Sequence, residues 1–117
     1  MSESQIQSAI MRFLDLALPG SYRAFAIPNG GRRDKITGAI LKREGVKAGV
    51  PDIAIVRDGG SVAFIEVKTK TGRLSNSQTE FRDWCGLNAV PFGIVRNVSD
   101  VENFLIDLNV PLKARAT

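Results

Sequence analysis

Apolar positions along the chain switch between helical and strand spacing, which predicts an α/β order of elements. After the capping-box motif Ser2-Glu3-Ser4-Gln5, apolar residues recur every three to four positions along the chain, and together they predict a helix over about 3–18. The same spacing predicts helices at about 36–43, at 76–88 behind the capping box Ser75-Asn76-Ser77-Gln78, and at 99–108. Short apolar runs between turn residues predict strands at 22–27, 51–56, 62–68 and 91–95.

This order of elements indicates the fold class. The second and third strands are close enough to form an antiparallel hairpin, and a helix then leads to the last strand over a connection long enough for parallel pairing. We therefore expect an α/β fold with a central mixed sheet of about four strands flanked by helices. One domain over 1–117 suits the length, with a core of about 3–108 and a flexible tail over 109–117.

The hairpin carries three charged residues in apolar strands. If Asp58-Gly59-Gly60 forms a three-residue loop, Asp52 lies opposite Glu66, and Lys68 projects from the same face. Two carboxylates this close repel each other unless they share a proton, a cationic partner or a divalent metal. A two-residue loop would instead shift the register by one and place the acids on opposite faces.

Composition narrows the available chemistry. The 117 residues include no histidine, which excludes catalytic triads, general bases and zinc sites that need imidazole. The single cysteine, Cys85, excludes an internal disulfide and falls in a helical pattern typical of a buried, inert thiol. No run is apolar enough to predict a membrane span and no signal-peptide pattern is present, so we expect an intracellular protein.

The basic excess is concentrated in one segment. The formal net charge is +4, and residues 30–49 contain six basic and two acidic side chains. These cations are interpreted either as a solvated helix face or as phosphate contacts beside the acid pair. The basic residues for which we predict DNA binding, including two from the turn after Lys68, are Arg32, Arg33, Lys35, Lys42, Arg43, Lys47, Lys70 and Arg73.

The acidic and basic residues of the hairpin resemble a known signature. Pro51-Asp52 followed after thirteen residues by Glu66-Val67-Lys68 resembles the PD-(D/E)XK nuclease superfamily. The run 45–52 and Gln78 at the start of the next helix make the chain similar to the VRR-NUC (virus-type replication and repair nuclease) branch, over about residues 3–105. The resemblance implies a restriction-endonuclease-like fold.

The resemblance also implies site roles. Asp52, Glu66 and the backbone carbonyl of Val67 would hold Mg²⁺, which Mn²⁺ could replace, and Glu3 resembles an additional acid of the family. Lys68 would orient or activate the attacking water. The residues that the resemblance assigns to catalysis are Asp52, Glu66, Lys68 and Gln78. Gln78 is also the third residue of a capping box, so either role is open.

The function implied is a divalent-metal-dependent DNA endonuclease. Because a domain this small has little surface for reading bases, we expect it to recognise DNA shape more than sequence. The family resemblance further implies a Holliday junction or other branched DNA as the substrate and a homodimer as the acting form, since two sites related by a twofold axis can cut two strands symmetrically. No membrane or small-molecule substrate is expected, and the cytoplasm of a bacterial or phage-infected host cell is the expected location. The alternatives are a non-catalytic DNA-binding subunit and a sequence-specific restriction-type nuclease.

Overall fold

The elements of a computed structural model follow the predicted order. The structure describes residues 1–28 and 35–116. Within them, the helices are α1 (Glu3–Ala17), α2 (Lys35–Arg43), α3 (Asn76–Leu87) and α4 (Val98–Asp107). The strands are β1 (Arg23–Ala26), β2 (Ile53–Val56), β3 (Val62–Val67) and β4 (Phe92–Val95). No helix in the described ranges is both long and apolar enough to cross a membrane.

The described strands form a mixed four-stranded sheet in the order β1-β2-β3-β4. The pairs β1–β2 and β2–β3 are antiparallel, whereas β3 and β4 are parallel. α3 connects β3 to β4, as a parallel pair requires a crossover. This arrangement confirms the predicted α/β fold with a mixed sheet flanked by helices.

The hairpin register is the one predicted from a three-residue loop. Ile53 pairs with Ile65 and Val56 with Val62. The loop closes where the Arg57 amide donates to the Ser61 carbonyl at 2.6 Å, and Gly59 and Gly60 take the positive φ angles of 91° and 94° that such a loop needs. The register therefore puts position 52 opposite position 66, with both side chains on one face.

One face of the sheet holds the hydrophobic core. The amphipathic helix α1 buries one side of its surface here, and α4 packs beside it. A Cβ atom at Gly93 would lie 2.7 Å from the ring of Phe104, so glycine at this position allows α4 to lie close against β4. The fully buried strand residues of this core are Ile53, Ile55, Ala63, Ile65, Val67 and Val95.

The opposite face is covered more thinly, by α3. Phe64 on β3 meets Phe81 on α3 edge to face, with ring centroids 5.3 Å apart. Cys85 is the buried residue of α3, as predicted, while Trp84 remains half exposed. Asp52, Glu66 and Lys68 belong to this less covered face because side chains alternate along a strand.

Among the described helices, α2 differs from the others in its surroundings. No residue of α2 is buried and no other described helix or strand packs against it, so this basic helix projects from the domain.

Residues 110–116, for which the sequence predicts a flexible tail, instead lie along the core. Val110 is buried, and the amides of Lys113 and Ala116 donate to the Ala17 carbonyl and the Glu102 carboxylate at 2.8 and 2.6 Å.

Candidate active site

Asp52 and Glu66 meet where the β2–β3 ladder ends. Asp52 Oδ2 accepts a 2.7 Å hydrogen bond from the Val67 amide, and the Asp52 carbonyl accepts one from the Ile27 amide at 2.8 Å. The Asp52 carboxylate therefore accepts the hydrogen bond that a backbone carbonyl of a neighbouring strand would otherwise accept from the Val67 amide. This bond fixes the Asp52 carboxylate beside β3. Glu66 is only 1% exposed and lies next to it.

The burial of Glu66 beside Asp52 changes the titration of Glu66. Loss of water around Glu66, then the hydrogen-bonding contact and the charge of Asp52, raise the pKa of Glu66 to about 8. The Lys68 ammonium opposes this shift, and Glu3 adds to it. Burial and like charge thus outweigh the Lys68 ammonium, so the pocket favours a proton or a further cation at Glu66.

Two polar side chains hold Glu66 Oε2. Lys68 Nζ lies 3.7 Å from it, and Gln78 Nε2 donates to it at 3.2 Å. The Gln78 side-chain oxygen meanwhile accepts from the Ser75 amide at 2.8 Å and completes the capping box of α3. Gln78 therefore caps α3 and contacts Glu66 at the same time, because the two ends of its amide have different partners.

The donor set fits a hard divalent cation. Glu66 Oε1 is buried and has no hydrogen-bond partner among the described residues. The β2–β3 ladder ends at the Ile53–Ile65 pair, and the Val67 carbonyl lies on the same side of β3 as its amide, toward Asp52. Two carboxylates, one carbonyl and waters match the oxygen ligands that Mg²⁺ prefers.

Glu3 stands apart from this set. It is an exposed residue in the first turn of α1, one position after the capping Ser2, and is close enough to influence the Glu66 pKa. Across the described ranges, no three acidic or thiol side chains group closely enough to share a metal ion. The geometry therefore brings together Asp52, Glu66 and Val67, with Glu3 at longer range.

Gly49 supports the site in a way that sequence reasoning missed. Its φ is +86°, and a Cβ atom here would lie 2.3 Å from the Ser77 carbonyl oxygen. The loop that leads into Asp52 therefore rests directly on the first turn of α3, which also carries Gln78. A glycine two residues before Pro51 indicates a tight turn, but residue spacing alone does not predict that this turn contacts Ser77 in α3.

The predicted DNA-binding cations lie in two places. Lys35, Lys42, Arg43 and Lys47 are exposed on α2 and just after it, and Lys70 and Arg73 are exposed in the loop after Lys68. Arg32 and Arg33 lie outside the described residues. The geometry thus separates the projecting basic helix from a second basic loop next to the acid pair.

Comparisons with known proteins agree with the fold described above. The family model for the VRR-NUC domain matches residues 2–99. A solved structure described as a VRR_NUC domain is 18% identical, with a TM-score of 0.60 over 92% of this chain and 97% of that chain. Another, described as a VRR_NUC domain protein, is 18% identical, with a TM-score of 0.66 over 92% and 87% of the two chains. No curated protein matches the sequence significantly.

Proposed function

Because the chain belongs to the VRR-NUC family and has its nuclease-type fold, we propose that it is a divalent-metal-dependent DNA endonuclease that hydrolyses phosphodiester bonds. The observation that carries the proposal is the acid pair, in which Glu66 is buried and its Oε1 has no hydrogen-bond partner within the described part of the chain. A pure binding domain gains little from burying Glu66 beside a second carboxylate, whereas two carboxylates together can bind a divalent metal.

Asp52, Glu66 and the Val67 carbonyl are the proposed ligands of Mg²⁺, with Mn²⁺ as a substitute. When bound, the ion supplies Lewis-acid polarisation of the scissile phosphodiester. Gln78 keeps the Glu66 carboxylate in one orientation through its 3.2 Å bond to Oε2. Glu3, at longer range, adds negative charge that favours a cation at the pair.

Lys68 is the proposed group nearest the reacting atoms besides the ligands. Its stem is buried and its ammonium lies 3.7 Å from Glu66 Oε2, so the charge is fixed at the edge of the acid pair. Hydrolysis forms one P–O bond from the water oxygen and breaks one P–O ester bond, so that water gives up a proton and the leaving sugar oxygen takes one up to become a hydroxyl. The ammonium orients the attacking water and stabilises the negative charge that develops on the phosphate.

We further propose that the substrate is branched DNA and that the protein acts as a homodimer. The described part of the chain adds no element for reading bases beyond the nuclease fold, which favours recognition of shape. A twofold axis would place two sites for symmetric cuts in two strands. Trp84 and Leu87 are both exposed and lie three positions apart on α3, and neighbouring exposed apolar side chains of this kind support a contact between copies.

The test is cleavage of a four-way junction, a flap and a linear duplex in Mg²⁺. We expect the wild-type protein to cut the junction, Asp52→Ala and Glu66→Ala to abolish cutting, and chelation to abolish it in the wild type. Asp58→Ala is the matched control, because it removes an exposed carboxylate at the far end of the same hairpin. Normal cutting by both site variants would contradict the proposal.

The other outcomes identify the alternatives. Preferential cutting of a linear duplex at one sequence would favour a restriction-type nuclease. DNA binding that survives chelation, with no cleavage of any substrate, would favour a non-catalytic subunit. Light scattering coupled to gel filtration measures the oligomeric state, and a monomer at the concentrations used for cleavage would contradict the dimer.

A further inference from the structure

A basic cleft lies on the same sheet face as the acid pair. It has a volume of about 650 Å³ and is formed by the loop after Lys68, the first two turns of α3 and the end of β4. We call it the β4 cleft. Its lining contains four basic and no acidic side chains, and the basic residues are Lys70, Arg73, Arg82 and Arg96.

The sheet register places this cleft one strand away from the metal ligands. Glu66 pairs with Ile94, which lines the cleft. Two residues further along each strand, Lys68 and Arg96 are the next side chains on the same face of the sheet. Neighbouring strands are about 4.8 Å apart. The first turn of α3 spans the two sites, because Gln78 bonds Glu66 and the following Thr79 lines the cleft.

Arg96 holds the wall of the cleft in place. Its Nη1 donates to the carbonyls of Thr69 at 2.5 Å and Gly72 at 2.8 Å, and reaches Lys70 O at 3.4 Å. The loop also packs on the site itself, since a Cβ atom at Gly72 would lie 3.5 Å from Lys68 Cδ. These contacts fix the loop relative to Lys68, and they therefore also fix the backbone positions of its two cations, Lys70 and Arg73.

The cations of the cleft differ in how far they are already neutralised. Arg82 pairs with its exposed neighbour Asp83 at 3.1 Å, and Arg96 is occupied by backbone carbonyls. Lys70 and Arg73 are exposed, and no ion pair with a carboxylate occupies either of them within residues 1–28 and 35–116. Their charge is thus available to an anion that enters the cleft.

We propose that the β4 cleft binds a backbone phosphate of the DNA strand being cut, near the phosphodiester that lies at Asp52 and Glu66. Lys70 and Arg73 contact this phosphate, and Arg96 is a positioning residue that holds their loop. Basic side chains on a fixed frame set the register of a strand by its phosphates. The proposal rests on the proposed function, and it adds a second anchoring point distinct from the projecting helix α2.

The first test measures DNA binding without cleavage. Fluorescence anisotropy of a labelled four-way junction and a labelled duplex, with EDTA present, gives the dependence of affinity on salt. Losing one phosphate contact reduces the slope of log affinity against log salt by about 1. We expect this reduction in Lys70→Ala/Arg73→Ala. The matched control is Lys113→Ala/Arg115→Ala, which removes the same charges from the segment along the core and should keep the wild-type slope.

The second test locates the phosphate. Single phosphates of the duplex and the junction are replaced one at a time by neutral methylphosphonates. We expect a methylphosphonate at one position to weaken DNA binding by the wild type about tenfold. The same methylphosphonate should not change binding by the Lys70→Ala/Arg73→Ala variant, because that variant has already lost the contact with this phosphate. Equal slopes in the two double variants, or additive effects at every position, would overturn the proposal.

The two proposals fail in different ways. A wild-type protein that binds DNA with the expected phosphate position but never cuts it would contradict the nuclease function and leave the cleft supported. A wild-type protein that cuts normally while Lys70→Ala/Arg73→Ala behaves like its control would contradict the cleft alone.

Discussion

At the scale of single residues, the protonation of Glu66 depends on pH near neutrality. In the absence of metal its carboxyl has a pKa of about 8, compared with an ordinary value of 4.5. Burial is the largest cause, so the folded protein retains a proton that the unfolded chain has already released.

This difference predicts that the metal-free protein loses stability as pH rises. Between about pH 4.5 and 8 the folded state binds more protons than the unfolded state, so the free energy of unfolding falls with pH and levels off above that range. Urea unfolding in EDTA at about pH 5 and about pH 8.5 should differ by a few kcal/mol. In Glu66→Gln this part of the pH dependence should vanish, and an unchanged profile would contradict the assignment.

Gln78 joins helix capping to the site, and two substitutions separate these roles. Ser75→Ala removes the cap but leaves the Gln78 bond to Glu66 available, so it should cost about 1 kcal/mol of stability with little change in cleavage. Gln78→Ala should cost a similar amount and also reduce metal affinity or cleavage by about tenfold or more. Urea unfolding and Mg²⁺ titration of cleavage measure the two effects. Equal cleavage by both variants would show that Gln78 acts only as a cap.

At the scale of elements, the loop before β2 and the start of α3 form one unit. Gly49→Ala would force a Cβ atom to within 2.3 Å of the Ser77 carbonyl at a φ of +86°, so we expect it to cost about 1–3 kcal/mol or more and to displace Asp52. Gly20→Ala is the control, since nothing lies within 4 Å of its added methyl group. Thermal unfolding of both variants measures the difference, and similar values would contradict the close contact.

Elements whose determinants are local could be predicted from the sequence. Both capping boxes and the hairpin register depend on residues a few positions apart, and the register alone placed Asp52 and Glu66 on one face. The bond between Gln78 and Glu66 and the contact of Gly49 with Ser77 depend on how α3 docks on the sheet. Packing of distant segments leaves no periodic signal, so these contacts required the structure.

The C-terminal segment shows the same limit. The sequence predicts a flexible tail over 109–117, yet Val110 enters the core and the Lys113 amide bonds the end of α1. Arg96 is a further example, because nothing near it in sequence indicates that its guanidinium would hold the loop 69–72. Both interactions join positions more than twenty residues apart in the chain.

At the scale of the whole molecule, metal binding and folding should be coupled. Asp52 and Glu66 come together only when β2 and β3 pair, so a divalent ion should bind the folded state in preference to the unfolded chain. At a metal concentration ten times Kd the expected gain in the free energy of unfolding is about 1.4 kcal/mol. Thermal or urea unfolding with and without Mg²⁺ near pH 8 measures it.

Asp58→Ala should keep this gain, and Asp52→Ala should lose it. Equal stabilisation of both variants by Mg²⁺ would show that the ion acts elsewhere on the molecule. Because protons compete with metal for Glu66, the gain should also shrink toward pH 5 in the wild type.

The position of β3 in the sheet has a consequence for amide hydrogen exchange. β3 is bonded on both sides, by β2 and by β4, whereas α2 has no helix or strand packed against it among the described residues. Amides of α2 should therefore exchange through small local openings, and those of β3 only when most of the domain unfolds. The strand that carries Glu66 then stays closed while the basic helix opens and recloses many times.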